Sequence, residues 1–310
     1  MNINGRDILP GQEKNIRVAI SKLPSHTPID ISITVYNAEQ SGPTVLLMGG
    51  MHGDEINGVE IVRRMIENGY HRVSKGATIC IPVLNVYGFI HFSRTVPDGK
   101  DVNRSFPGNK NGSLAARMAD YLMKDVIPQI DLGVDFHTGG AERTNYPQTR
   151  CVMKDEQNVE MATAFHAPFA LDSPYRSSSL RWAAAKQGKR ILVYEGGQSS
   201  RFDEYAIQEG INGTRRLLRH LGMADDAPEP QYDNLRLKSS SWIRARKSGL
   251  FQPLVQSGDK VNRNQVVGYL ADPFGEFKKS VKSKVGGYVI GLNNNPLLHE
   301  GDAIMHIGVI

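Results

Sequence analysis

Three short apolar runs constrain this chain more than any other feature. Residues 44–48 (TVLLM), 131–136 (DLGVDF) and 190–194 (RILVY) each have the length and content of a buried strand, and each breaks off near paired glycines. The first leads through Gly49-Gly50 into His52-Gly53-Asp54-Glu55. The second stops at His137-Thr138-Gly139-Gly140 and the third at Glu195-Gly196-Gly197. Helical patterns fill the intervals. One carries Val59, Ile61, Val62 and Met65 to a stop at Asn68-Gly69, and another spans 114–126 behind a cap at Ser113. Two more cover 158–166 and 178–187, and a long one covers 201–221 with its cap expected in Ser199-Ser200. Strands alternating with helices predict an α/β fold, a three-layer sandwich around a mainly parallel (mixed) sheet. Such sheets bind ligands beyond the carboxyl ends of their strands, where all three runs deliver a histidine or a carboxylate.

The flanking segments extend this framework. Residues 16–20 and 29–35 are β-like runs around a turn at 24–28, the second with period-two alternation, and 77–84 (ATICIPVL) is another buried strand. Residues 91–113, rich in Gly, Pro, Asn and Asp, read as one long ordered loop, a length usually tied to function. Residues 141–151 read as a further loop. An acidic, proline-containing linker occupies 223–234 (MADDAPEPQYDN), after which helical periodicity disappears. Residues 240–310 hold short β runs separated by Asn, Asp, Gly and Pro turns. The expected division is a catalytic domain over 1–230 and a small all-β domain over 235–310. Within the latter, Ser257-Gly258-Asp259 and Glu300-Gly301-Asp302 look like related turns of a pseudo-symmetric barrel.

Charge and cysteine content narrow the function classes. Lys+Arg 37 against Asp+Glu 32 leaves +5, read as spread along the chain, with Arg215, Arg216 and Arg219 taken as a solvated helix face. Nothing there calls for nucleic acid, and the balance suits at most anionic small molecules. Cys80 falls in a strand-like run and Cys151 in an irregular one, so no disulfide framework is expected. No secretory signal pattern opens the sequence, and no apolar run approaches the ~20 residues that span a bilayer. A cytoplasmic protein with no membrane partner is expected, and homo-oligomerisation is left open.

The residues at the strand ends have a common chemistry. A catalytic zinc takes three protein ligands, drawn from imidazole nitrogens and carboxylate oxygens, and keeps one position open. His52 and Glu55, three residues apart, supply two such groups. Read alone, so short and common a motif favours a carboxylate at a helix N-terminus beside an unrelated histidine. His137 is the only other histidine at the end of a buried strand. Asp135, two residues earlier and on the same face, is placed to orient an imidazole from behind. A strand-end histidine bonded to a backbone carbonyl is the alternative. Glu195 is the candidate general base, or else a carboxylate serving the next helix. In the long loop, Arg104 and Asn103 are candidates to hold a substrate carboxylate, and Arg94 to stabilise an oxyanion.

Taken together, GGMHGDE, DVNRSFPG, DFHTGG and YEGGQ, in that order and at strand ends, closely resemble the succinylglutamate desuccinylase/aspartoacylase family, a branch of the zinc carboxypeptidase-like fold. The resemblance covers roughly residues 40–220. It implies one zinc ion (Zn2+) per chain held by His52, Glu55 and His137, with Glu195 as general base and acid. It also implies Asn103 and Arg104 gripping the substrate carboxylate and Arg94 as the electrophilic arginine. Arg143 and Arg150 are expected to line the pocket without a catalytic role. The activity implied is hydrolysis of an N-acyl amino acid or related small amide; the nearest alternative is a metallocarboxypeptidase acting on short peptides.

Residues 240–310 resemble the barrel-sandwich hybrid of biotinyl and lipoyl carrier domains. The place of a modifiable lysine at the hairpin tip reads Asp272-Pro273-Phe274-Gly275, with Lys278-Lys279 beyond the turn. No lipoyl or biotin attachment is therefore expected, and the domain is expected to wall the pocket or hold subunits together.

Overall fold

A computed structural model describes residues 1–310. Its centre is a 13-stranded mixed sheet. The three glycine-terminated runs become strands Gln40–Met48, Leu132–Gly139 and Arg190–Gln198, which lie side by side and parallel. Strand Lys75–Ile81 continues the parallel set, and Pro28–Asn37 and Gln12–Lys22 close that side as antiparallel pairs. On the other side, strand 190–198 pairs antiparallel with residues 143–151, which in turn pair parallel with residues 169–172.

Each central strand buries both faces. Leu46 and Met48 pack with Met118, Leu180 and Ala184 of the helices on one side of the sheet. Val45 and Leu47 pack with Ile61, Phe165, Ile207 and Leu217 on the other. That alternation explains the continuous apolar runs and gives the three-layer α/β sandwich. No helix is long and apolar enough to cross a membrane.

Several local expectations are corrected. Residues 141–151 are not a loop: Arg143–Cys151 is a strand, antiparallel to 190–198. Its polar sequence hides it, as does Pro147, which cannot donate to a ladder. The register explains how Pro147 is accommodated. Residues 143–145 pair with strand Gly287–Asn293 and residues 148–151 with Phe169–Asp172, so Pro147 falls between the two and faces a register shift in 190–198. The 169–172 strand was also not anticipated. The helix expected over 114–126 is α-helical for Leu114–Tyr121, then a π-turn over Leu122–Val126. The last helix, Glu204–His220, is capped by Asp203 rather than by Ser199-Ser200.

The arginine cluster on that helix is not a solvated face either. Arg215 pairs with Asp226 and Arg219 with Glu229, while Arg216, 5% exposed, donates to the carbonyls of Phe165, His166 and Pro228. The three arginines bind the acidic linker to the helix that precedes it.

The C-terminal residues form the all-β region. A four-stranded sheet (278–282, 266–271, 249–253, 297–298) packs on strands 239–244, 287–293 and 303–309, around a core that includes Phe251, Val267, Val289 and Ile307. The latter strands extend the central sheet through the pairing of Gly291 with Asn145. The two related turns have one geometry. Asp259 Oδ2 accepts from Gln256 N at 2.8 Å and Asp302 Oδ2 from His299 N at 2.8 Å, with Gly258 and Gly301 at φ +97° and +93°.

Candidate active site

The adjacency of three parallel strands decides which side chains meet. In the ladder, Met48 stands opposite Asp135 and His137 opposite Glu195. Beyond Met48 the chain turns through Gly50, at φ +60°, into the His52 turn and helix Ile56–Glu67. That helix lies close to the sheet: a Cβ on Gly58 would stand 2.5 Å from the Phe136 carbonyl oxygen. The close approach places Glu55, the residue at the helix N-cap, beside His137.

Glu55 is fully enclosed and bridges the two histidines. His52 Nδ1 lies 2.8 Å from its Oε1, and His137 Nδ1 lies 2.8 Å from its Oε2. Glu55 makes no capping hydrogen bond to the helix. The far nitrogens are held from behind: His137 Nε2 by Asp135 Oδ2 at 2.8 Å, and His52 Nε2 by Asp101 Oδ1 at 3.1 Å. Ligand atoms of His52, Glu55 and His137 all lie within 4.8 Å of one another, and all three residues are buried. Two imidazoles and a carboxylate converging in this way fit a zinc or similar divalent cation. Burial disfavours the charge on each group, but mutual attraction outweighs it. Glu55 is held well below the usual carboxylate range by the two imidazoles. His137 is pushed well above the ordinary imidazole value by Asp135 and Glu55.

Glu195 faces the same space. Asn145 Nδ2 donates to its Oε2 at 2.7 Å, and Arg150 Nη1 lies 3.2 Å from its Oε1. It does not serve the following helix, which Asp203 caps. Arg94 donates Nη1 to Glu55 Oε1 at 3.1 Å and pairs through two other nitrogens with Asp101 Oδ2. Asn103 and Arg104 sit on a 3-10 turn, Val102–Arg104, capped by Asp101, whose side chain accepts from the Asn103 N–H. The Asn103 amide oxygen accepts from Leu180 N at 2.9 Å, which leaves its NH2 free to donate. Arg104 has no carboxylate partner. Burial works against its charge, as do the neighbouring Arg176 and Arg94, with Asp101 opposing them.

All seven predicted site residues line one cavity of about 730 Å³. Arg143 and Arg150 line it as expected. Three contributors escaped the sequence reading. Asp101 lies inside the DVNRSFPG motif but had no local sign of a bond to His52. Asn145 belongs to the unrecognised strand. Trp242, from strand Ser239–Arg244, stacks on His306 with ring centroids 4.2 Å apart and planes 5° apart, and closes one wall. No sequence signal pointed to it.

Residues 41–221 match the succinylglutamate desuccinylase/aspartoacylase catalytic domain. The chain is 30% identical over 256 residues to the N-alpha-acetyl-L-2,4-diaminobutyric acid deacetylase of Halomonas elongata, covering 78% of this chain and 74% of that protein. Its fold is similar to the product-bound ectoine utilization protein EutE (DoeB) of Ruegeria pomeroyi, with TM-score 0.85, 25% identity, and coverage of 96% and 95% of the two chains. It is also similar to a succinylglutamate desuccinylase/aspartoacylase of Rhodobacter sphaeroides, with TM-score 0.87, 25% identity and 98% of each chain covered.

Proposed function

Because the chain belongs to the succinylglutamate desuccinylase/aspartoacylase family, we propose that it is a zinc-dependent amidohydrolase that removes the N-acyl group from an N-acyl amino acid in the cytoplasm. The observation that supports this most is the convergence of His52, Glu55 and His137 beside Glu195 in one cavity. The substrate in the name of the Halomonas relative is itself an N-acyl amino acid.

His52, Glu55 and His137 would hold the zinc, which when bound polarises the amide carbonyl and lowers the pKa of a water toward ~7. Glu195 takes the proton of the attacking water and returns it to the leaving amine. Asn145 and Arg150 hold its carboxylate in place for both transfers. Arg94 stands beside the metal ligands, where its guanidinium donates to the oxyanion of the tetrahedral intermediate. The free NH2 of Asn103 and the guanidinium of Arg104 hold the carboxylate of the amino acid half. Trp242, with Arg143 beside it, limits what fits beyond the scissile bond.

A panel of N-acyl amino acids and short peptides incubated with the zinc-loaded protein tests this reading. Release of free amino acid from at least one N-acyl substrate is expected. Peptide cleavage with no deacylation would replace the reading with a carboxypeptidase. His52→Ala and His137→Ala should each abolish stoichiometric zinc by elemental analysis; retention in both would refute the ligand set.

A further inference from the structure

We propose that the C-terminal β region carries a second binding site, separate from the hydrolytic cavity, for a polyphosphorylated small molecule of nucleotide size. The net charge is not spread along the chain. Residues 235–310 contain 11 Lys and Arg against 5 Asp and Glu, a balance of +6 in a chain whose total is +5. Six of these cations surround a cavity of about 500 Å³: Arg244, Arg246, Lys247, Lys279, Lys282 and Lys284. They come from two segments that face each other. One is strand Ser239–Arg244 with the turn after it, an edge of the large sheet; the other is strand Lys278–Lys282 with the turn after it, an edge of the small sheet.

No aspartate or glutamate lines the cavity. None of the six cations forms an ion pair; Arg244 Nη1 donates to the Gly301 carbonyl at 2.9 Å, and the Lys247 ammonium lies 5.4 Å from the Phe277 ring centroid. Lysines on an edge strand alone would be explained as protection against edge-to-edge pairing. Arg244 lies on an edge strand as well, but that explanation does not reach Arg246, Lys247 and Lys284, which follow the two strands and bring like charges together around one cavity. The floor between them is apolar, formed by Ile243, Leu270, Phe277 and Val281. An apolar base with a cationic rim suits a ligand with a flat apolar body and several negative charges. The volume admits one such molecule and is too small for a folded partner.

The site shares a strand with the hydrolytic cavity. Ile243 and Arg244 line the cationic pocket, while their neighbour Trp242 lines the other. Occupancy is therefore positioned to alter the Trp242 wall, although binding itself does not depend on what the protein hydrolyses.

Isothermal titration with ATP and with pyrophosphate, on the wild-type chain and on the double variants Lys279→Ser/Lys282→Ser and Arg246→Ser/Lys247→Ser, tests the site. Saturable ATP binding is expected, stronger than pyrophosphate by at least 10-fold because of the apolar floor, and weakened at least 10-fold in both variants. Unchanged melting temperatures confirm that the variants fold. Absent ATP binding, or equal binding by wild type and variants, overturns the proposal. Capture by phosphatidylglycerol vesicles or by a single-stranded oligonucleotide without ATP binding also overturns it, in favour of a membrane or nucleic-acid surface.

Discussion

Asp101 holds His52 from behind: its Oδ1 lies 3.1 Å from His52 Nε2, while its Oδ2 receives two N–H groups of Arg94 at 3.0 and 3.1 Å. The same carboxylate accepts from Asn103 N at 2.7 Å. One side chain thus positions a proposed metal ligand, the proposed electrophile and the turn that carries the proposed substrate clamp. Carboxylates behind ligating histidines typically contribute 10–100-fold to metal affinity. Asp101→Ala is expected to weaken zinc by about that factor in a chelator competition. Asp101→Asn, which keeps a hydrogen-bonding side chain, should lose less. Wild-type zinc affinity in Asp101→Ala would dismiss the orienting role.

Glu195 is separable from the proposed metal ligands. Its carboxylate bonds to Asn145 and Arg150 and not to His52, Glu55 or His137. Glu195→Gln should keep one zinc per chain and lose about 10²–10⁴-fold in kcat, the range of general acid–base catalysis. Turnover within a few-fold of wild type would remove Glu195 from the mechanism.

Trp242 lines the cavity, stacked on His306 and with the Arg143 guanidinium 5.9 Å from its ring centroid. Trp242→Ala removes the wall without touching a metal ligand. The expected result is a KM increase larger than the loss in kcat, with acceptance of bulkier acyl groups. An unchanged substrate profile would show that Trp242 does not shape the pocket.

His306 gives the fold a pH dependence of known sign. Burial, with Arg150 adding to it, pushes its pKa down to about 3 from an ordinary 6.5. The native state therefore rejects a proton that the unfolded chain accepts between these values. Its contribution to stability is complete above pH 6.5 and lost as the pH falls toward 3, at up to ~1.4 kcal/mol per pH unit. His306→Phe, which keeps the stack on Trp242, should flatten the acid side of a denaturation series. A parallel shift of the whole curve would contradict this.

Arg216 tests the linker clamp. It is buried against Glu209, at 3.6 Å, and against three backbone carbonyls. Removing one partner of a buried pair typically costs ~3–5 kcal/mol, because the other charge is left uncompensated. Arg216→Ala should lose stability of that order in urea unfolding, whereas the exposed-partner variant Asp226→Ala should lose less than ~1 kcal/mol. Equal losses would show that burial is not the deciding factor.

The site was legible where local sequence dictates position. His52, Glu55, His137 and Glu195 follow apolar runs that must be buried strands, and glycines allow the chain to turn immediately after them. Period two put Asp135 on the face of His137, and of the two imidazoles it could orient, His137 or His52, it bonds His137. Asp101 lay in plain view within its motif, but its 49-residue separation from His52 made the bond unreadable.

What the amino-acid order determined by itself was therefore the α/β framework and the group each central strand delivers, because burial periodicity and glycine turns are local properties. The tertiary structure alone decided what stands against those groups. Strand 143–151, with polar residues and a proline, is a strand only because long-range pairing on both flanks satisfies its backbone and leaves Pro147 unpaired at a register shift. Through that strand, Asn145 and Arg150 meet Glu195, and the C-terminal strands bring Trp242 over a cavity begun almost 200 residues earlier. Such contacts depend on non-local packing, which no window of the sequence contains.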